Sequence, residues 1–230
     1  VHRARPSLLY VSDNINYVSG VQRVTATQVQ ALRRDFAITV FSMEVPDERS
    51  RRLFAGVPIV DMQTCCGVTC LAIPCRDVLL HRGFTMRQKA VRLAYGVMRK
   101  LGKEAWAIEK LSNQKMKNFF EGFDTVCVLS EASQMRDFVS KLSHPKKIQW
   151  IHTDYALWSE YSDWTRQITA NDGERYRHYD RVVCLTETSR QGFLQKHPEL
   201  SEKTIVVANL QPVEETLKTP QAPLAGASLD

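Results

Sequence analysis

The residues best suited to chemistry stand in the segment Trp150-Ile151-His152-Thr153-Asp154-Tyr155, where a histidine and a carboxylate follow an apolar run with one residue between them. An imidazole titrates near neutral pH. His152 could therefore act as acid or base, or donate a hydrogen bond to a sugar hydroxyl or a phosphate. Asp154 could orient that ring or accept from a hydroxyl. The same two residues also suit structural work, with His152 closing a strand and Asp154 capping the helix after it. Type and spacing leave both readings open.

A second constellation is the loop Asp13-Asn14-Ile15-Asn16-Tyr17-Val18-Ser19-Gly20, between an apolar run and a helical pattern. A glycine at a helix start exposes backbone N–H groups and the positive end of the helix dipole, which suits a phosphate. A plain turn would use the same glycine. Ser130-Glu131 and Thr186-Glu187-Thr188-Ser189 also follow apolar runs, and capping of the helices they are expected to begin accounts for them.

The stretch from Met86 to Lys117 carries Arg87, Lys89, Arg92, Arg99, Lys100, Lys103, Lys110, Lys115 and Lys117 against two acids, Glu104 and Glu109. Helical spacing puts Ala94, Met98, Leu101, Ala105, Ile108 and Leu111 on one stripe, and Arg92, Arg99, Lys103 and Lys110 on the other side. Such a helix could lie on an anionic bilayer, each basic residue contributing about 1 kcal/mol. It serves equally as a sheet-covering helix with a solvated charged face. Gly96 and Gly102 speak against one unbroken helix. The cysteines Cys65, Cys66, Cys70 and Cys75 lack the paired C-x2-C spacing of a zinc site, and His81 stands outside the cluster. Reduced thiols, with no metal and no cofactor, are the expectation.

These candidates belong to a chain of 230 residues, enough for one large or two small domains. Its 43% hydrophobic and 24% charged residues are those of a folded globular protein. A formal net charge of +6 favours anionic partners. Nucleic acid is not among those expected, because the basic residues lack aromatic interleaving or a recognisable motif. No apolar run approaches the roughly 18 to 20 residues of a membrane span, and Val1 to Pro6 has no apolar segment of a leader behind it. We expect a cytoplasmic protein whose route to the inner membrane face would be residues 86–117.

Seven short runs, rich in β-branched residues, must position the candidates: Ser7–Ser12, Ala37–Met43, Pro58–Met62, Thr125–Ser130, Lys147–His152, Arg181–Thr186 and Thr204–Ala208. They are apolar nearly throughout rather than alternating, as parallel strands covered on both faces require. Helical patterns over Gly20–Arg34, Ala132–Leu142 and Glu187–Lys196 supply crossovers. The expected fold is a doubly wound α/β domain with a mostly parallel sheet of about seven strands, spanning residues 6 to 212. Residues 213–230 follow Pro212, include Pro220 and Pro223, and show no hydrophobic period, so they read as a linker or tail.

Order and spacing then suggest a family. Ser19-Gly20-Val21-Gln22-Arg23-Val24 resembles the G-G-x-E-R-V loop and helix start of family 4 retaining glycosyltransferases, with Ser19 in place of the first glycine and Gln22 in place of the glutamate. WIHTDY resembles the family's strand-end histidine motif, and Tyr179 to Ser189 its Y-x-x-D-x-V strand and following helix. The resemblance spans about residues 7 to 212. It implies the N-terminal, acceptor-binding half of a GT-B enzyme of glycan biosynthesis. His152 would be the catalytic contact; Asp154, Tyr155 and Asn16 would touch the acceptor; Ser19 and Gly20 would form the donor-phosphate loop. The implied ligands are a nucleotide-sugar donor and a glycan or lipid-linked acceptor. The family's donor-binding E-x7-E motif has no counterpart here, so a truncated product or a separate chain carrying the C-terminal half is expected, with little activity in its absence. A noncatalytic binding or partner subunit of the same fold is the alternative.

Overall fold

The structure is a computed structural model and describes residues 5–17, 19–66, 74–80, 84–103 and 114–210. The expected linker, along with Val18, Cys70, His81 and the Ala105 to Leu111 part of the basic stretch, lies outside the described residues.

Seven strands form one sheet: β1 (Ser7–Ser12), β2 (Ala37–Ser42), β3 (Ile59–Asp61), β4 (Thr125–Val128), β5 (Lys146–Ile151), β6 (Arg181–Cys184) and β7 (Thr204–Val206). Their order is β3-β2-β1-β4-β5-β6-β7, and every pairing is parallel. The chain winds from β1 to one edge, returns, and continues from β4 to the other. The switch point therefore falls between β1 and β4, where an open sheet leaves its ligand crevice at the carboxyl ends.

Strand alternation divides the apolar residues between two layers. Leu9, Val11, Phe41, Val126, Val128, Ile151 and Val182 face one core, and Leu8, Tyr10, Ile38, Val40, Cys127, Trp150 and Val183 face the other. The second layer is closed by Ala26 and Val29 of α1 (Gly20–Leu32) and by Phe54, just after α2 (Glu48–Leu53). The remaining α-helices follow in chain order as α3 (Met62–Cys66), α4 (Cys75–Leu80), α5 (Met86–Lys100), α6 (Gln114–Glu121), α7 (Arg136–Ser140), α8 (Tyr155–Glu160), α9 (Asp163–Thr169), α10 (Asp172–Arg177) and α11 (Glu187–Lys196), and all but α4 and α9 supply buried residues to the first layer. Tyr95, Phe120, Phe138, Tyr176 and Phe193 are their buried aromatic contributions. Among the described residues no helix is long and apolar enough to cross a membrane.

Three local expectations are corrected. Ser130-Glu131 does not begin a helix: Ser130 Oγ accepts from the Ala132 N–H at 3.1 Å, a turn follows, and α7 starts at Arg136 with no side-chain cap. On α5 the buried residues are Arg92 and Tyr95, whereas Ala94 and Leu101 of the expected apolar stripe face outward. Tyr95 decides this, since its ring is fully buried in the first layer and turns the helix about it. Gly96 does not interrupt α5; the helix ends at Lys100, and Gly102 just beyond its C-cap has a φ of 68°, the left-handed geometry of a helix terminus.

Candidate functional site

Trp150 and Ile151 anchor β5 in opposite cores, and His152 emerges at its carboxyl end, half-buried. Its ring lies nearly parallel to that of Trp150, with centroids 5.9 Å apart and planes 20° apart. Its backbone N–H donates to Glu131 Oε2 at 3.3 Å, a carboxylate only 3% exposed. The ring nitrogen Nε2 is buried without a hydrogen-bond partner, and so is the neighbouring Thr153 Oγ1. Burial lowers the imidazole pKa below its ordinary 6.5, opposed by the charge of Glu131 and a hydrogen bond to the Leu129 backbone. The ring is thus neutral at pH 7. A buried polar atom without a partner costs about 1–3 kcal/mol, an expense a ligand would relieve.

Asp154 caps α8, accepting from the Leu157 N–H at 3.3 Å, and is itself exposed. Gly192 of α11 makes room for it, since a Cβ there would come within 3.0 Å of Asp154 Oδ1. An apolar groove of about 480 Å³ is lined by Asp154 together with Leu157, Trp158, Tyr161 and Trp164. Tyr155, expected at the acceptor, is instead 1% exposed, and its hydroxyl donates to Asp172 Oδ2 at 2.6 Å. Asp172 also takes Arg136 Nη1 at 2.8 Å on each oxygen, Tyr176 accepts from the same nitrogen at 3.0 Å, and Arg175 joins Asp172 to Asp137. This buried network locks α7, α8 and α10 together and so fixes the chain on either side of His152.

At the switch point, Asp13 accepts from Ser133 Oγ at 2.5 Å and from the Gln134 N–H at 2.7 Å, tying the loop after β1 to the loop after β4. Asn16 is engaged in structure: its amide donates to the Val45 carbonyl at 3.0 Å and to Glu44 at 3.3 Å, while its oxygen accepts from the Asp47 N–H at 2.8 Å and Ser50 Oγ at 3.0 Å. Glu44, half-buried beside it, has its pKa raised by burial, with Asn16 opposing and Asp13 reinforcing the shift.

Ser19 caps α1 by accepting from the Val21 N–H at 3.3 Å, and Gln22 completes a capping box by accepting from the Ser19 N–H at 3.2 Å. Gln22 also donates to the Asn14 carbonyl at 3.0 Å. Gly20 is exposed, and a Cβ placed on it would meet nothing within 4 Å. With Gln22 uncharged, the first turn holds no acidic residue to oppose an anion.

The structure thus joins His152 to Glu131 and Asp13 to Ser133 and Gln134. Among the described residues no hydrogen bond or ring contact links Asn16, Ser19 or Gly20 to His152. Glu131 is the residue that sequence reasoning missed as a partner. Its position after a strand marked the place, but a helix start explained it equally well. The described residues contain no group of three histidine, cysteine or acidic side chains able to hold a metal.

No protein-family model matches the chain, and no curated protein matches it significantly by sequence. Solved structures share its fold, which is that of one half of a GT-B glycosyltransferase. The Anabaena protein Alr3699/HepE, solved with UDP and glucose, matches with a TM-score of 0.54 and 12% identity over 91% of this chain and 46% of its own. A UDP-glucosyltransferase from Polygonum tinctorium capable of glucosylating indoxyl, solved in complex with 3,4-dichloroaniline, gives 0.51 and 11% over 90% and 53%. Phytolacca americana UGT2, complexed with UDP-2-fluoro-glucose and pterostilbene, gives 0.50 and 10% over 93% and 56%. The chain spans about half the length of these proteins.

Proposed function

We propose that this chain is the acceptor-binding half of a glycosyltransferase of the family 4 retaining type, moving a sugar from a nucleotide-sugar to a glycan or lipid-linked acceptor together with a donor-binding half. The observation that carries this reading is His152 at the end of β5, neutral, backed by Glu131 and holding a buried, unpartnered ring nitrogen at the carboxyl end of a GT-B-like sheet. A neutral imidazole there can hydrogen-bond the sugar or the acceptor hydroxyl as the glycosidic bond forms. Ser19 and Gly20 serve as the donor-phosphate loop, supported by the open space over Gly20 and the absence of an acidic first turn. Asp154, in the lining of the apolar groove, touches the acceptor. Asn16 and Tyr155 act at one remove, by holding the loops and helices that shape the crevice.

The test is His152→Ala in the enzyme complete with its donor-binding half. A hydrogen bond made in the transition state costs about 10²-fold in kcat when removed. Calorimetric affinity for the nucleotide-sugar should stay unchanged. Near-normal turnover with reduced thermal stability would make His152 a strand cap and end the catalytic assignment.

A further inference from the structure

The groove that Asp154 lines is built from aromatic side chains: Trp158 of α8, Tyr161 at the C-cap of that helix, and Trp164 of α9. The rings of Trp158 and Trp164 stand at 88° with centroids 6.4 Å apart, edge against face. Trp158 is anchored against the first core layer, whereas Tyr161 and Trp164 are 85% and 48% exposed. The turn between the helices is fixed by Ser162, whose hydroxyl accepts from the Thr165 N–H at 3.1 Å, while the Thr165 hydroxyl donates to the Ser162 carbonyl at 2.8 Å. Those two hydroxyls are spent inside the protein. The polar tips of the groove are not: among the described residues the Tyr161 hydroxyl, the indole N–H groups of Trp158 and Trp164, and Asp154 Oδ2 have no hydrogen-bond partner, Asp154 Oδ1 alone being taken by the Leu157 N–H.

Aromatic faces carry partial negative charge and attract the C–H face of a sugar ring, and indole and phenol tips bond to hydroxyls at its edge. A hydrocarbon chain laid in the same place would take those tips out of water with nothing to pair them, at a cost in free energy. We propose that the groove is a carbohydrate subsite, seating a pyranose ring against Trp158, Tyr161 and Trp164 while Asp154 Oδ2 accepts from one of its hydroxyls. Asp154 stands two residues beyond His152, so the subsite adjoins the carboxyl end of β5. That the sugar is the acceptor rests on the glycosyltransferase reading; that the groove holds a pyranose rests on its own side chains.

The full chain is titrated with maltotriose, cellotriose and triacetylchitotriose, and with octyl β-glucoside below its micellar concentration, and saturation-transfer NMR reads which ligand protons touch the protein. At least one trisaccharide should bind, and in octyl glucoside the ring protons should be saturated more strongly than the octyl chain. Affinity for the bound trisaccharide should fall at least about tenfold in Tyr161→Ala/Trp164→Ala, both exposed positions, and stay within about twofold in Leu157→Ala, which trims an aliphatic side chain of the same groove. Saturation confined to the octyl chain would identify a hydrocarbon groove and overturn the proposal. Failure of all three trisaccharides to bind, or equal losses in the two variants, overturns it too. None of these measurements needs sugar transfer. Trisaccharide binding alongside normal turnover in His152→Ala would leave the subsite standing and end the catalytic assignment, and the opposite pair of results would do the reverse.

Discussion

At the scale of single residues, burial sets the chemistry. His152 and His197 both have pKa values below the ordinary 6.5, with burial as the largest cause in each. As the pH falls from about 7.5 to about 5.5, the unfolded chain takes up protons at these positions before the folded chain does. Stability attributable to them is therefore held above about pH 6.5 and lost on acidification. A His152→Gln/His197→Gln variant should show a flatter dependence of Tm on pH in this window, measured by calorimetry. Parallel curves for the two proteins would show that the folded rings titrate normally. The buried thiols follow the same rule in the opposite direction of charge: burial pushes Cys127 up to about 12 and Cys184 up to about 11. At neutral pH both are unreactive structural cysteines, Cys127 accepting from the Trp150 indole N–H at 3.1 Å.

At the scale of elements, the α1 terminus shows how a departure from a motif is accommodated. Gln22 keeps the capping box through its side-chain oxygen while removing the charge a glutamate would bring next to Gly20. Ser19→Ala breaks this box and should cost about 1 kcal/mol in urea denaturation, against a few tenths for Ser19→Gly. A glycine variant as damaging as the alanine one would mean that the Ser19 hydroxyl does more than cap. The start of α11 behaves alike, with Thr186 accepting from the Ser189 N–H at 3.1 Å. The helices α7, α8 and α10 are short, at 5, 6 and 6 residues, and could not persist alone. The Arg136–Asp172 network supplies what their length does not, and removal of one partner would strand a buried charge.

At the scale of the whole molecule, the two halves of the described chain are interlocked. β1 pairs with β4, and Ser7 hydrogen-bonds Asp124 through its N–H and its hydroxyl, each at 2.7 Å. Limited proteolysis should therefore yield no two stable fragments meeting near residue 120, and thermal unfolding should follow a single transition. Independently folded pieces would contradict this coupling. The sequence by itself determined the seven strands, because a buried parallel strand must be apolar along its length. It also determined the start of α1 and the cap at Thr186, because capping depends on residues a few positions apart. It placed His152 and Asp154 at a strand end for the same local reason. Only the tertiary structure decided the strand order that puts the crevice between β1 and β4. That order set Glu131 against a histidine 21 positions away and turned Tyr155 inward to Asp172. It likewise brought arginines from α5, α7 and α10 to one cleft. Such contacts depend on which faces pack together, and no local spacing encodes that choice.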